Sequence, residues 1–224
     1  MAEHRPGGHE RGLDSRWFVI ACLGIASALL LLFLWLARQE YFFGDDLFFL
    51  RQAQRPRDWL ATFFPFRGRG WWSYRPLSIQ VFFATFYDAF GLAAYPYLLA
   101  SLLLHFAAGG LVYRVARQLE LGRRVALFAA VLSVAMYPSL FRELFWVSTF
   151  QTVCGRFFYL ATISLFLDFL RTGRAAYRIA ACAGMILTLL SNELGITLPG
   201  PLVLLAVYRA EGGAVARVRA ALRR

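Results

Sequence analysis

Residues 17–37 read WFVIACLGIASALLLLFLWLA, an apolar run without a single charged side chain. A helix of this length spans about 31 Å at 1.5 Å per residue, which is enough to cross the hydrocarbon core of a bilayer. The loop that follows, residues 38–75, is rich in arginine and aromatic side chains. We therefore expect a membrane protein whose first span emerges into a water-facing loop near residue 38.

Composition indicates the same class. Hydrophobic residues make up 59% of the 224 residues and charged residues only 17%, whereas soluble domains carry more charge and shorter apolar runs. The net charge of +11 comes from arginine alone, because the sequence contains no lysine. This bias is typical of a GC-rich bacterial genome and predicts a bacterial inner (plasma) membrane protein. The arginines flank the spans and form no continuous basic face, so nucleic acid is not an expected partner.

The remaining apolar runs predict an all-α, polytopic membrane bundle. The positive-inside rule places the N-terminus in the cytoplasm. A single transmembrane domain, residues 17–208, is expected between a disordered cytoplasmic tail at 1–16 and a basic cytoplasmic tail at 209–224. Its four full spans are expected at residues 17–37, 95–113, 125–141 and 144–170.

Residues 76–91 are too short to span a bilayer. They are expected to form an interfacial helix at the outer face, with Ser78, Thr85 and Asp88 on one polar stripe.

The last apolar stretch, residues 179–208, is interrupted by Ser191-Asn192-Glu193 and has arginine on both flanks. A re-entrant hairpin, or two further short spans, fits this charge pattern, and one long tilted helix is the rival.

The sharpest candidate for a functional site is the pair Asp45-Asp46, just beyond the first span. A carboxylate held at the membrane surface can act as a general base or as a metal ligand. The alternative is structural, because Asp45 could cap a short helix over residues 46–54. If a divalent cation such as Mg²⁺ or Mn²⁺ takes part, these two residues would hold it. No other cofactor is indicated.

The same outer loop carries an excess of positive charge. Such a loop runs against the positive-inside rule, so we expect an anionic partner there. Arg75, in WWSYRPL, could grip a phosphate with two parallel hydrogen bonds or could extend to lipid headgroups. The arginines of this loop are Arg38, Arg51, Arg55, Arg57, Arg67, Arg69 and Arg75.

Charged side chains also occur in later apolar segments. Arg156 and Glu193 are predicted at membrane depth, where each needs a water-lined cavity or a partner, and pairing with each other is one solution. Glu143 could orient Arg75 or Arg156, could join the acidic pair, or could form a local ion pair. His105, in LLLHF, is either a packed, hydrogen-bonded residue or a supporting functional one.

Four stretches, taken in order, resemble the GT-C superfamily of membrane glycosyltransferases. The resemblance is to the protein O-mannosyltransferase-like branch, including the transmembrane O-mannosyltransferases with C-terminal TPR repeats. Tyr137 stands where the family has His, and Asn192 where it has Lys. The stretches are GDDLFF at 44–49, WSYRPLSIQVFF at 72–83 with YLLASLLLHFAAGGLVYRVARQL at 97–119, YPSLFRELFWVSTFQTVCGR at 137–156, and LLSNELGITLP at 189–199.

This resemblance implies sugar transfer from a polyprenyl-phosphate donor to an acceptor hydroxyl, on a protein or a glycan, at the outer face of the membrane. Asp45 is the first-choice base and Asp46 its alternate, while Arg75 and Arg156 are expected on the donor phosphate. Because a phosphate leaves without a general acid, one carboxylate suffices. Family members carry further spans, so the chain would correspond to an N-terminal half. The other hypothesis is a non-catalytic membrane subunit or a lipid-binding remnant of that fold.

Overall fold

The computed structural model describes residues 10–55, 62–63, 74–135 and 145–209, with side chains from residue 16 onward. All regular structure in these ranges is helical, which confirms the predicted all-α class. The principal helices are α1 (Glu10–Ala37), α2 (Asp45–Ala53), α3 (Phe82–Phe90), α4 (Ala94–Gln118), α5 (Arg123–Ala135), α6 (Phe150–Thr172), α7 (Ala175–Ser191) and α8 (199–209). A π-helical turn, Pro76–Val81, leads into α3, and 3₁₀ turns precede α6 (Val147–Thr149) and follow α7 (Glu193–Thr197).

Three of the described helices are long and apolar enough to cross a bilayer: Arg16–Ala37, Ala94–Gln118 and Val147–Thr172. They coincide with the spans expected at 17–37, 95–113 and 144–170, and they indicate a membrane protein. The fourth expected span, 125–141, is described only as far as Ala135, so its length lies partly outside the described residues.

The segment expected to be one helix over 144–170 is in fact broken near its start. Trp146 has an extended backbone, with φ −105° and ψ 111°, and the 3₁₀ turn Val147–Thr149 separates it from α6. Hydroxyl side chains favour such a break because they bond to nearby backbone. Here the Thr149 hydroxyl donates to the Trp146 carbonyl at 2.6 Å. The break takes the Ser148 backbone N–H out of the helical hydrogen-bond ladder, and this N–H becomes part of the candidate site.

Contacts between helix ends fix the direction of each helix in the bundle. At one end, called the site end below, the Arg38 guanidinium lies 6.0 Å from the ring centroid of Tyr95, joining the end of α1 to the start of α4. At the opposite end, Gln118 donates to Asp168 at 2.8 Å, joining the ends of α4 and α6. Arg209 also donates to the Gln118 carbonyl, at 2.9 Å. The chain therefore turns back between α7 and α8 rather than continuing as one long helix.

The core beneath the site end is aromatic. Phe82 stacks on Phe150 with ring centroids 3.7 Å apart and meets Tyr97 edge-on at 5.7 Å. Phe83 and Tyr97 are 1% and 0% exposed. Aromatic rings bury large areas and interlock, so this cluster holds α3 firmly against α4 and α6.

The prediction that Ser78 lies on the polar stripe of residues 76–91 is wrong. Ser78 is fully buried, whereas Thr85 and Asp88 are exposed. The π-helical turn is the reason: its wider turn shifts the angular phase of residues 76–81 relative to α3, so Ser78 leaves the stripe. The interfacial location of α3 stays a prediction.

Candidate functional site

Asp46 is buried, and it joins the loop after α1 to the start of α6. Its Oδ1 accepts the backbone N–H of Ser148 at 2.6 Å and also the Ser148 hydroxyl, and its Oδ2 accepts the Phe43 N–H at 3.3 Å. Its side chain is 0% exposed. A carboxylate is well placed there, because the first N–H groups of a helix are unpaired and carry partial positive charge.

The two neighbouring carboxylates have different surroundings. Burial raises the pKa of Asp46 above its usual value of 3.8, although hydrogen bonds from Ser148 and Phe43 act in the opposite direction. Asp45, in contrast, is exposed on the first turn of α2. Asp46 is therefore engaged in holding the loop, and Asp45 is the carboxylate that faces water.

The predicted helix cap at Asp45 is wrong, because the helix already includes this residue. Gly44 precedes the helix with φ 57° and ψ −126°, and no side chain caps it. A positive φ of this kind costs a glycine little and other residues much more. Gly44 thus places both acids inside the first turn of α2, where one side can be buried and the other solvated.

Arg75 is paired with Glu193, which lies 118 residues further along the chain. The Arg75 Nε donates to Glu193 Oε2 at 2.6 Å, and its Nη2 donates to Oε1, so the guanidinium grips the carboxylate with two parallel bonds. Its Nη1 donates to the side-chain oxygen of Gln151. Hydrogen bonds from Arg75 hold the pKa of the Glu193 carboxyl below its usual 4.5. Paired charges of this geometry are among the stronger hydrogen bonds in proteins.

Hydrogen bonds around the end of α7 place Glu193 next to Arg75. Next to Arg75, the Ser78 hydroxyl in the π-helical turn donates to the Ser191 carbonyl, the last residue of α7, at 2.6 Å. Asn192 is extended, and its Oδ1 accepts the Leu194 N–H at 2.9 Å, which starts the turn that carries Glu193. Gly155 allows this approach, because an added Cβ there would lie only 2.6 Å from the Asn192 Cβ.

The start of α6 links the two sets of contacts. Asp46 bonds to Ser148, and Arg75 bonds to Gln151, three residues later. Side chains three apart on a helical turn share a face, so the acidic loop and the Arg75 pair meet on the same side of α6. We call this set the entry cluster: Asp46, Arg75, Ser148, Gln151 and Glu193.

The sequence did not single out Ser148 or Gln151. The available signal was the run VSTFQ at 147–151, which places several polar side chains at the start of a long apolar span.

Arg156 and His105 both contact the end of α5. Arg156 donates to the Ser133 carbonyl at 3.0 Å, and the His105 Nε2 lies 3.1 Å from the Val134 carbonyl oxygen. Both carbonyls belong to the last described turn of α5. The usual donor to Val134 would be the N–H of residue 138, which is proline and has none. His105 therefore supplies a hydrogen-bond partner that Pro138 cannot.

The other charged predictions have mixed outcomes. Glu193 pairs with Arg75 rather than Arg156, and its side chain is 59% exposed. Its depth in the membrane stays a prediction. The depth was inferred from an apolar stretch that the structure divides at Asn192. Glu143 lies outside the described residues.

Asp46 is engaged with protein donors, and the described residues add no cluster of metal-ligating side chains around the acidic pair. Within the described residues, no group of three or more His, Cys, Asp or Glu side chains could hold a metal ion. Both carboxylate oxygens of Asp46 already accept hydrogen bonds from protein donors.

The arrangement combines two chemical capacities at the site end of the bundle. A guanidinium fork can neutralise a phosphate, and an exposed carboxylate, Asp45, can accept a proton from a hydroxyl. Known proteins add no further constraint: no family model, no curated protein and no solved structure matches this chain.

Proposed function

We propose that the chain is a membrane glycosyltransferase that moves a sugar from a polyprenyl-phosphate donor to an acceptor hydroxyl at the outer face of a bacterial inner membrane. One observation carries the proposal. The Asp45-Asp46 loop and Arg75, both at the site end of the bundle, bond to Ser148 and Gln151, which lie three residues apart around the start of α6. A donor whose polyprenyl chain lies in the bilayer would present its phosphate at this level.

The chemistry needs one base and one cation. The acceptor oxygen attacks the anomeric carbon of the sugar while the bond from that carbon to the donor phosphate breaks, and the phosphate leaves with the electron pair. Arg75 neutralises the departing charge. Asp45 accepts the proton of the acceptor hydroxyl. Because the phosphate leaves without being protonated, no general acid is required.

The surroundings of the two acids support Asp45 as the base. It is exposed to the solvent side, where an acceptor would arrive, whereas Asp46 is committed to Ser148 and Phe43. Asp46 then serves as a positioning residue that fixes the loop. Asp45 therefore remains the first choice for the general base, and its exposure supports that choice.

Sugar transfer from a labelled polyprenyl-phosphate sugar, measured in membranes, tests the proposal. Asp45→Asn and Arg75→Lys should each lower transfer strongly at normal protein yield. The matched controls are Asp168→Asn and Arg114→Lys, because Arg114 and Asp168 form an ion pair at the opposite end of the bundle. Full transfer by both site variants would refute the proposed chemistry.

One observation favours a second candidate, a non-catalytic membrane subunit or lipid-binding remnant. The Arg75 guanidinium and the Asp46 carboxylate are both already satisfied by protein partners, as purely structural groups would be. Donor binding without any transfer by the wild-type chain would favour this candidate. Transfer that depends on Asp45 would exclude it.

The proposed orientation places the site end outside and the N-terminus in the cytoplasm. A cysteine introduced at Tyr41, which is 72% exposed at the site end, should react with a membrane-impermeant thiol reagent in intact cells. A cysteine at Gly122, at the opposite end, should react only after lysis. The reverse result would invert the topology.

A further inference from the structure

Arg75 and Glu193 are held unequally in their pair. The Arg75 side chain is 19% exposed and is also bonded to Gln151, whereas the Glu193 side chain is 59% exposed. More than half of the Glu193 side chain is free of protein contact, so leaving Arg75 sacrifices little further contact with the protein. Arg75 would remain in place, because Gln151 still holds it. When the pair opens, we therefore expect Glu193 to move and Arg75 to stay in place.

The guanidinium fork that holds Glu193 is also the arrangement that binds phosphate. Carboxylate and phosphate oxygens accept the same parallel N–H bonds from arginine, so the two anions compete for one set of donors. A phosphate that approaches from water meets donors that are already oriented but occupied. Donors that are already oriented lower the free-energy cost of phosphate binding, whereas the need to displace the Glu193 carboxylate raises it.

We propose that Glu193 is an intramolecular competitor at the phosphate site, displaced from Arg75 when the polyprenyl phosphate binds and returning to expel it after transfer. This inference rests on the proposed function and adds to it a residue that governs occupancy and release. The exchange replaces one ionic partner of Arg75 with another. No covalent bond forms or breaks.

The main test is binding of a short-chain polyprenyl phosphate to the purified 224-residue chain in nanodiscs of phosphatidylcholine. Glu193→Gln should tighten binding by about three- to tenfold, because the competing charge is gone while an amide can still occupy the space. Arg75→Gln should abolish binding. Glu120→Gln is the matched control, since Glu120 is an exposed glutamate at the opposite end, and its binding should equal that of the wild type.

A second measurement uses the wild-type chain and does not depend on the folding of a variant. Carbodiimide labelling of Glu193, read by mass spectrometry, should rise when polyprenyl phosphate is added, because the displaced carboxylate is no longer bonded to Arg75. Labelling of Glu120 should not change. Constant labelling of Glu193 at saturating ligand would overturn the exchange.

Further arms distinguish the phosphate source and separate the two proposals. Inorganic phosphate and phosphatidylglycerol nanodiscs should raise Glu193 labelling much less than polyprenyl phosphate does. An equal effect of phosphatidylglycerol would assign the fork to lipid headgroups and overturn the inference. Wild-type binding that Glu193→Gln leaves unchanged or weakens would overturn the exchange but leave the glycosyltransferase proposal standing. Absence of binding by wild type and every variant would refute both.

Discussion

Asp46 accepts hydrogen bonds from both the backbone N–H and the hydroxyl of Ser148, a residue 102 positions further along the chain. The contact joins the loop after α1 to the start of α6, and it uses a carboxylate that is entirely buried. A buried acid of this kind has consequences for stability, and an exposed neighbour has consequences for catalysis. The predictions below separate the two.

The stability of the fold should depend on pH through Asp46. Because burial raises its pKa, the folded chain holds this proton at pH values where the unfolded chain has lost it. The free energy of unfolding should therefore fall as pH rises from 3.8 through the raised pKa. Asp46→Asn, which is uncharged throughout, should lose less stability over this window. Thermal midpoints of the detergent-solubilised protein at a series of pH values provide the measurement, with Asp45→Asn as control. Parallel curves for Asp46→Asn and wild type would contradict the prediction.

The two acids should differ in their effect on transfer. Asp45→Asn should reduce the rate by about 10²–10⁴, the usual loss when a general base is removed, and should leave the thermal midpoint close to that of the wild type. Asp46→Ala should lower the thermal midpoint and lose activity only in proportion to folded protein. Rates must be normalised to folded protein, measured by size-exclusion chromatography. A larger rate loss per folded molecule in Asp46→Ala would reverse the assignment.

Arg75→Lys keeps the positive charge and removes the fork. A lysine ammonium cannot make two parallel bonds to a phosphate, so the KM for the donor should rise by about tenfold or more, with a smaller change in kcat. Arg114→Lys, at the ion pair with Asp168, is the matched control and should leave the KM unchanged. Equal KM values for Arg75→Lys and the wild type would argue against phosphate recognition by Arg75.

Gly155 should tolerate no side chain. An added Cβ would lie 2.6 Å from the Asn192 Cβ, so Gly155→Ala must displace the segment that carries Glu193. We expect destabilisation by about 1–3 kcal/mol, as in other overpacked cores. Gly110→Ala, on α4, has no atom within 4 Å of the new Cβ and should be neutral or slightly stabilising. Thermal unfolding of the two variants side by side gives the comparison, and similar midpoints would show that α6 and the Asn192 segment are less closely packed.

His105 should contribute to stability without acting on the donor. His105→Phe leaves the Val134 carbonyl without this partner, which should cost about 1–3 kcal/mol, because Pro138 cannot donate in its place. His105→Gln, whose amide nitrogen has a similar reach, should recover part of the loss. Polyprenyl phosphate binding by the folded fraction should be the same in both variants. A weaker affinity in either would indicate that His105 belongs to the phosphate site.

The spans could be predicted from sequence because apolar composition and length alone decide which helices cross a bilayer. The break at Trp146 could not, because it lies in an apolar run whose composition is equally compatible with a continuous helix. The sequence also could not show which of Asp45 and Asp46 is buried and which is exposed. Adjacent residues on a helix point about 100° apart, so only one can face the bundle, and which one does depends on where the helix begins.

The pairing of Arg75 is a related case. The sequence offered Arg75 and Glu193 as separate charged residues that each needed a partner, and it did not connect them. Their contact depends on the turn after α7 and on the close approach at Gly155, which are features of tertiary packing. Candidate residues could thus be recognised by type, whereas their partners required the fold.

The hydrogen bond between Asp46 and Ser148 also limits how early the site can form during synthesis. At translation rates of about 5–20 residues per second, a separation of 102 residues means that Asp46 waits roughly 5–20 s for its partner to be made. Arg75 waits slightly longer for Glu193, which is 118 residues away. During that interval both charged groups lack these partners. The candidate site is consequently among the last parts of the described chain to assemble, and premature arrest of synthesis before residue 148 would leave a membrane-inserted chain with the loop after α1 unanchored.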